Sequence, residues 1–272
     1  MNGHRSSILC IYNSKGGCSK TTSTINIAGI LAKEYGKSVL IIDADTSGNA
    51  STAIGRSEEP ATDFATLLID YAADHSYIGE LSDAICHTNF ENIDIIPCTN
   101  KTMFIKASKI IGADSEEGGF YFKDFIEQIE DDYDYIIIDV GAGHNDLNPL
   151  ATNALNCADA VLIPFFADAF DVAGLSDVMK SATRRRSNPN LKVAGVFLNR
   201  FKASDSLQKY VRDEAPQQVG DAFIPVTIRD SAEVANAVLN GKPICYYRPN
   251  NAVVQDFKNL TEEILKRLEA LE

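Results

Sequence analysis

Ser14-Lys15-Gly16-Gly17-Cys18-Ser19-Lys20-Thr21-Thr22 is the stretch on which the reading of this chain turns. The apolar run at 8–12 (ILCIY) precedes it and reads as a buried strand. Thr21–Tyr35 follows as a helix with Ile25, Ala28 and Leu31 on one face. A strand, a glycine-rich turn and Lys-Thr at a helix start make the setting a phosphate loop needs. Glycines let backbone N–H groups close around phosphate oxygens, and the helix N-terminus adds partial positive charge. In that setting Lys20 reaches the β and γ phosphates, and the Thr21 hydroxyl holds Mg²⁺ directly. The plain spacing G-x-x-x-x-G-K-[ST] fails, because Ser14 and Ser19 stand at the two glycine positions. A side chain at 19 restricts the loop if that position needs a positive φ. Cys18, at the helix start, is either a thiol of lowered pKa or a small filler.

Working outward, apolar runs alternate with amphipathic stretches. Strands are expected at 38–42, 93–96, 135–140, 160–163 and 193–198, with a short one at 222–224. Helices are expected at 64–73, 101–111, 119–130, 146–156, 171–184, 204–215, 231–239 and 252–270, and loops at 114–119 and 186–190. Near-continuous apolar strands separated by helices specify an α/β fold: a mainly parallel, twisted sheet with helices on both faces. No repeat, low-complexity tract or linker divides the chain, so residues 1–272 read as a single P-loop domain.

Two acidic motifs sit at strand ends. Asp43-Ala44-Asp45 closes the second strand, where an open parallel sheet presents its ligand crevice. A carboxylate near the γ-phosphate suits orientation of water better than proton abstraction, because the transition state is loose. Either Asp alone also reads as a helix cap. Ile136-Ile137-Ile138-Asp139 is a Walker B pattern, and Asp139 is expected to hold Mg²⁺ through water. Gly141-Ala142-Gly143 after it leaves room for backbone to approach a phosphate.

The chain has 272 residues, 45% hydrophobic and 23% charged, with a net charge of −13. Those proportions fit a folded globular chain. No run approaches the roughly 18 apolar residues of a membrane span, and the polar segment 1–7 does not read as a signal peptide. Six cysteines without a CxxC pair suggest reduced thiols in a cytoplasm, with Cys10 and Cys157 as small core residues. The charge of −13 argues against nucleic acid until it is located. Residues 1–150 carry the whole excess, and 151–272 are neutral. Within 180–212 nine bases face one acid, Asp205. That run is either a solvated helix face or a contact for a polyanion.

With Lys15 ahead of the paired glycines, KGGxxK[ST] is a deviant Walker A motif, and here the chain resembles the ParA/Soj partition ATPases and their MinD-like relatives. The resemblance implies ATP and Mg²⁺ as ligands. It implies that Lys15 crosses to the partner's ATP in a sandwich homodimer, so that Lys15, Lys20 and Asp45 are catalytic. Lys15, Gly16, Gly17, Cys18, Ser19, Lys20, Thr21 and Thr22 bind the nucleotide. The segment from Asp43 to Ser51 is similar to the family's DxDxxGN(A/S), with Thr46-Ser47 where Pro-Gln is common. By that likeness Asp43 places the Mg²⁺ water shell and Asp45 positions the attacking water. Gly141-Ala142 replaces a frequent Pro-Pro. Similarity continues through Val196–Arg200, 224–229 and Gly241–Ile244. It makes Asn199 a contact for adenine, or else an ordinary turn residue, and has the chain around Pro225 complete that pocket. It covers essentially the whole chain, least clearly across 56–130, and no segment ahead of the first strand has room for a helix-turn-helix.

What the resemblance implies is a DNA-segregation ATPase, hydrolysing ATP to ADP and phosphate. Its ATP dimer binds nonspecific DNA and is released when a ParB-type centromere adaptor stimulates hydrolysis, and it sits on the nucleoid in the cytoplasm. Relatives build the DNA surface from bases of the C-terminal half, so Arg184, Arg185, Arg186, Lys202, Lys209, Arg212 and Arg229 are the candidates. Two other readings remain. A MinD-like membrane-cycling ATPase needs a basic amphipathic C-terminal helix. The tail here is acidic, and its apolar face (Leu260, Ile264, Leu268, Leu271) suits packing on the sheet, which points to no membrane partner. A small-molecule ligase or kinase uses a similar loop without requiring Lys15.

Overall fold

The computed structural model describes residues 5–76, 78–114, 117–143, 148–167, 169–183 and 187–270, with backbone alone at 169–173. Its centre is an eight-stranded sheet. The strands are β1 (Ser7–Ile11), β2 (Val39–Ala44), β3 (Cys86–His87), β4 (Ile93–Ile96), β5 (Tyr135–Val140), β6 (Ala160–Phe166), β7 (Lys192–Phe201) and β8 (Phe223–Arg229). Their order is β3-β4-β2-β5-β1-β6-β7-β8. Every pairing is parallel except the edge pair β3–β4.

Strand parity explains the two-faced burial. Ile8, Cys10, Leu40, Ile42, Ile136 and Ile138 enter one core, whereas Leu9, Ile11, Val39, Ile41 and Ile137 enter the other. Successive residues of a strand point to opposite faces, so only a continuous apolar run can serve both. The first core is covered by α3 (Phe64–Ala73), α4 (Lys101–Ala113), α5 (Tyr121–Ile126), α6 (Pro149–Cys157), α7 (Ala169–Thr183) and α8 (Ser206–Val219). Phe64 is its hub, with ring centroids 5.3 to 6.3 Å from Phe122, Phe125 and Phe104. Such aromatic pairs add about 0.5–1.5 kcal/mol each beyond area burial. The second core is covered by α1 (Lys20–Tyr35), α9 (Ala232–Leu239), α10 (Ile244–Tyr247) and α11 (Ala252–Glu269). A one-turn helix, α2 (Asn49–Ala53), follows β2.

The expected strands form, with longer ends. β6 runs on to Phe166, β7 to Phe201 and β8 to Arg229, beyond the apolar cores that signalled them. Cys86–His87 was not expected as a strand; two residues are too short to show a period. The helix expected at 119–130 keeps only Tyr121–Ile126, and the one at 204–215 reaches Val219 through Pro216. The C-terminal helix packs as its apolar stripe implies. Leu260 and Ile264 are buried, Leu268 packs against the same core, and Leu271 lies outside the described residues. Arg267 fixes its far end by donating to the carbonyl oxygens of Asp221, Ala222 and Phe223 at 2.8–3.2 Å. Among the described residues no helix is long and apolar enough to cross a membrane.

Candidate functional site

The site lies at the carboxyl ends of β1, β2 and β5. The loop after β1 turns on Gly17 at φ 78° and Ser19 at φ 61°, both left-handed. The position flagged in the sequence therefore does need a positive φ, and a serine supplies it. Asn13, buried beneath the loop, accepts from the Lys15 N–H at 2.9 Å and donates to Pro164 O at 2.9 Å. It ties the loop to β6. The Lys20 ammonium folds back and donates to Asn13 O (3.1 Å) and Lys15 O (3.2 Å). Burial lowers its pKa, opposed first by the charge of Asp139. Lys15 itself is exposed on the outside of the turn.

Helices α3, α4, α6, α8 and α11 each begin with an Asp or Asn side chain accepting a first-turn N–H. Helix α1 has no such cap. Its first turn opens into a cleft of about 480 Å³ whose walls include Gly16, Cys18, Lys20, Thr22, Asp45 and Ala142. Uncapped N–H groups, a helix dipole and an ammonium converging on one concavity suit an anion of several oxygens. Cys18 is buried in this wall, and none of the six cysteines is in a disulfide.

The acidic groups stand side by side because the β2–β5 register pairs Asp43 with Asp139. Asp139 accepts from the Thr21 hydroxyl at 2.6 Å and from Thr24 at 3.3 Å. Burial, then the neighbouring Asp43 charge, pushes its carboxyl up to about 8. Asp43 accepts from the Ser51 hydroxyl (2.6 Å), the Ser51 N–H (2.7 Å) and the Asp45 N–H (3.2 Å). Burial lifts it to about 6 against those bonds. Asp45 accepts from the Ser47 N–H at 2.9 Å and lines the cleft.

Two raised, buried carboxylates beside a threonine hydroxyl form an all-oxygen set short of cationic charge, which fits Mg²⁺. No cluster of three His, Cys, Asp or Glu ligands occurs among the described residues. An ion here would take the rest of its oxygens from water and a bound phosphate, the usual habit of Mg²⁺. Asn13 and Ser51 were not anticipated. The fixed spacing of Ser51 from Asp43 was the only signal available, and Asn13 left none.

Other anticipated residues lie apart. Asn199, at the end of β7, donates to the Ser23 hydroxyl of α1 at 3.3 Å and accepts from the Arg200 N–H at 2.8 Å. Pro225 is exposed within β8, two residues before Thr227, which pairs with Leu198. Neither lines the cleft. Among the basic candidates, Arg184, Arg185 and Arg186 lie outside the described residues. Lys202 pairs with Asp230 at 3.3 Å, as does Arg200 at 3.2 Å. Arg212 bonds Asp213 at 2.8 Å and lies over the Phe201 ring. Arg229 makes a two-pronged pair with Asp256 at 2.6 and 2.7 Å. Lys209 is exposed with no acidic partner among the described residues. A larger cavity, about 540 Å³, opens at the opposite ends of the strands around Arg5, Lys123, Asp159 and Asn188. It contains none of the motif residues.

Residues 6–193 match the AAA_31 family model, described as an AAA domain. The chain is 31% identical over 271 residues to the chromosome partitioning protein ParA of Caulobacter vibrioides, covering 96% of this chain and 94% of that one. It is 30% identical over 259 residues to the sporulation initiation inhibitor protein Soj of Bacillus subtilis, covering 94% and 97%. The fold superposes on the septum site-determining protein MinD of Pyrococcus horikoshii, solved with Mg-ADP, with a TM-score of 0.76 and 25% identity over 98% of this chain and 99% of that one. The strand–loop–helix with two lysines, the paired strand-end aspartates and these near full-length likenesses agree: the chain belongs to the ParA/Soj group of MinD-related ATPases.

Proposed function

We propose that this protein is the ATPase of a DNA partition system, switching between a nucleotide-free form and an ATP-bound homodimer. One observation carries the reading. Lys20 and the uncapped first turn of α1 face a cleft whose wall also holds Asp45, and Thr21 is hydrogen-bonded to Asp139 beside it.

The residues divide the work as follows. Lys20 releases the carbonyl oxygens of Asn13 and Lys15 and turns to the β and γ phosphates. The N–H groups of the loop close on the same oxygens. Thr21 would hold Mg²⁺ with its hydroxyl, with Asp43 and Asp139 supporting it through water. The ion would supply positive charge against the charge that develops on the phosphates. Asp45 orients a water, whose oxygen bonds to the γ-phosphorus as the bond to the ADP oxygen breaks. Lys15, exposed at the tip of the loop, reaches the phosphates held by a second copy. Asn199 and the chain near Pro225 bound the adenine.

Nonspecific DNA is the proposed ligand of the dimer, which rides the nucleoid until a ParB-type adaptor speeds hydrolysis. Phosphate contacts need charge rather than sequence reading. Exposed ion pairs such as Lys202–Asp230 and Arg212–Asp213 are weak in water, so DNA phosphates can compete for those bases. Arg229 is held harder, because Asp256 is buried and its loss of a partner is costly. Helix α11 packs its apolar face on the sheet, through Leu260, Ile264 and Leu268, which favours the DNA-bound reading over a membrane anchor.

Size exclusion with ATP tests the dimer. Asp45→Ala is expected to bind ATP, lose turnover and run as a stable dimer. Lys15→Gln is expected to bind ATP and stay monomeric. A monomeric Asp45→Ala protein, or a dimer that survives Lys15→Gln, would contradict the proposal.

A further inference from the structure

Gly141 and Asp45 meet as a consequence of strand register. Ala44 pairs with Val140 on the adjoining strands β2 and β5, so the next residue of each chain, Asp45 and Gly141, emerges side by side. A Cβ on Gly141 would stand 3.1 Å from Asp45 Oδ1 and 3.3 Å from its Cγ. Gly141 is not among the residues with positive φ, so its backbone conformation is open to alanine. Space, not conformation, calls for glycine there. The carboxylate lies in a notch, with the Gly141 main chain on one side and the Ser47 N–H donating to Oδ1 at 2.9 Å on the other.

The notch is fixed from behind. Asn148 donates from Nδ2 to Gly141 O at 3.4 Å, and its Oδ1 caps α6 at the Ala151 N–H. A side chain at 141 therefore displaces the carboxylate rather than the strand. Room for the displaced group exists in an adjoining pocket of about 310 Å³, bounded by Thr46, Ile105, Lys109 and Asn148.

We propose that Gly141 is a positioning residue for hydrolysis: the missing side chain sets where the Asp45 carboxylate lies, and so where the water it orients stands. The inference rests on the reading of Asp45 given above. Orientation of reacting groups is sensitive to displacement; about 1 Å can change a rate on the order of 100-fold. Lys20 and Thr21 bind the phosphates from α1, and alanine at 141 leaves the backbone there in place, so affinity is expected to change little.

The test is steady-state ATP hydrolysis together with affinity for a fluorescent ATP analogue in Gly141→Ala, with Asp45→Ala as control. A change in kcat of at least about threefold, with affinity within about twofold, is expected for a displacement of a few tenths of an ångström. Unchanged kcat, or affinity lost in parallel with kcat, overturns the proposal. If Asp45→Ala itself hydrolyses at the wild-type rate, the reading of Asp45 fails and the proposal with it. If Asp45→Ala is slow and Gly141→Ala is normal, only the proposal fails. Should Gly141→Ala not fold, Asn148→Ser keeps a cap for α6 and drops the bond to Gly141 O. It is expected to change kcat at constant affinity, and an unchanged kcat overturns the proposal equally.

Discussion

Ser19 holds φ 61° at the start of α1, where a residue with a Cβ pays about 1–2 kcal/mol. Ser19→Gly removes that strain and adds back up to about 1 kcal/mol of chain entropy. The net expectation is a gain of roughly 0.5–1 kcal/mol, or about 1–2 °C in Tm for a chain of this size. A fall in Tm on thermal melting would show that the serine is not strained there. Asp139 makes a second residue-scale prediction. It faces Asp43 and Asp45 from the β2 side and Lys20, Thr21 and Thr24 from α1. Burial raises both Asp43 and Asp139, so the folded chain holds protons that the unfolded chain has released above about pH 4. Their contribution to stability is full below that pH and is lost as pH rises through about 6 and then about 8. Without nucleotide, Tm is expected to drop between pH 6 and 8.5, and Asp139→Asn to flatten the drop. An equal slope in the Asn variant would contradict this.

At the scale of elements, the parts legible in sequence were those with a long signal. Apolar runs marked β1, β2, β4 and β5, because a strand buried on both faces is apolar along most of its length; the aspartates in β2 and β5 stand near their carboxyl ends, at the site. The loop and both acidic motifs were legible because chemistry fixes their spacing. What stayed hidden depends on partners outside the stretch that carried the signal. The base-rich run at 180–212 is an example. Asp177, Asp213 and Asp230 lie outside that window, yet they pair with Lys180, Arg212, Arg200 and Lys202. Arg229, the one basic candidate with motif support, secures β8 to α11 through Asp256. Conversely, α4 belongs to the acidic half, yet it exposes Lys101, Lys106 and Lys109 with no acidic partner among the described residues. Counting charge along the chain therefore misjudges which helices have charge to offer. Asn13 was hidden for the same reason: its contact to Pro164 spans 151 residues.

For the whole molecule, the net charge of −13 restrains binding of any single subunit to a polyanion. With most mapped bases of the C-terminal half engaged in ion pairs, one subunit offers DNA few free charges. A dimer doubles them and lets several weak pairs exchange acid for phosphate together. DNA binding is therefore expected to be conditional on ATP. A gel shift of nonspecific duplex DNA, run with ATP, with ADP and without nucleotide, tests this most directly. Retardation is expected with ATP alone; equal retardation in all three, or none in any, would contradict an ATP-gated contact with DNA.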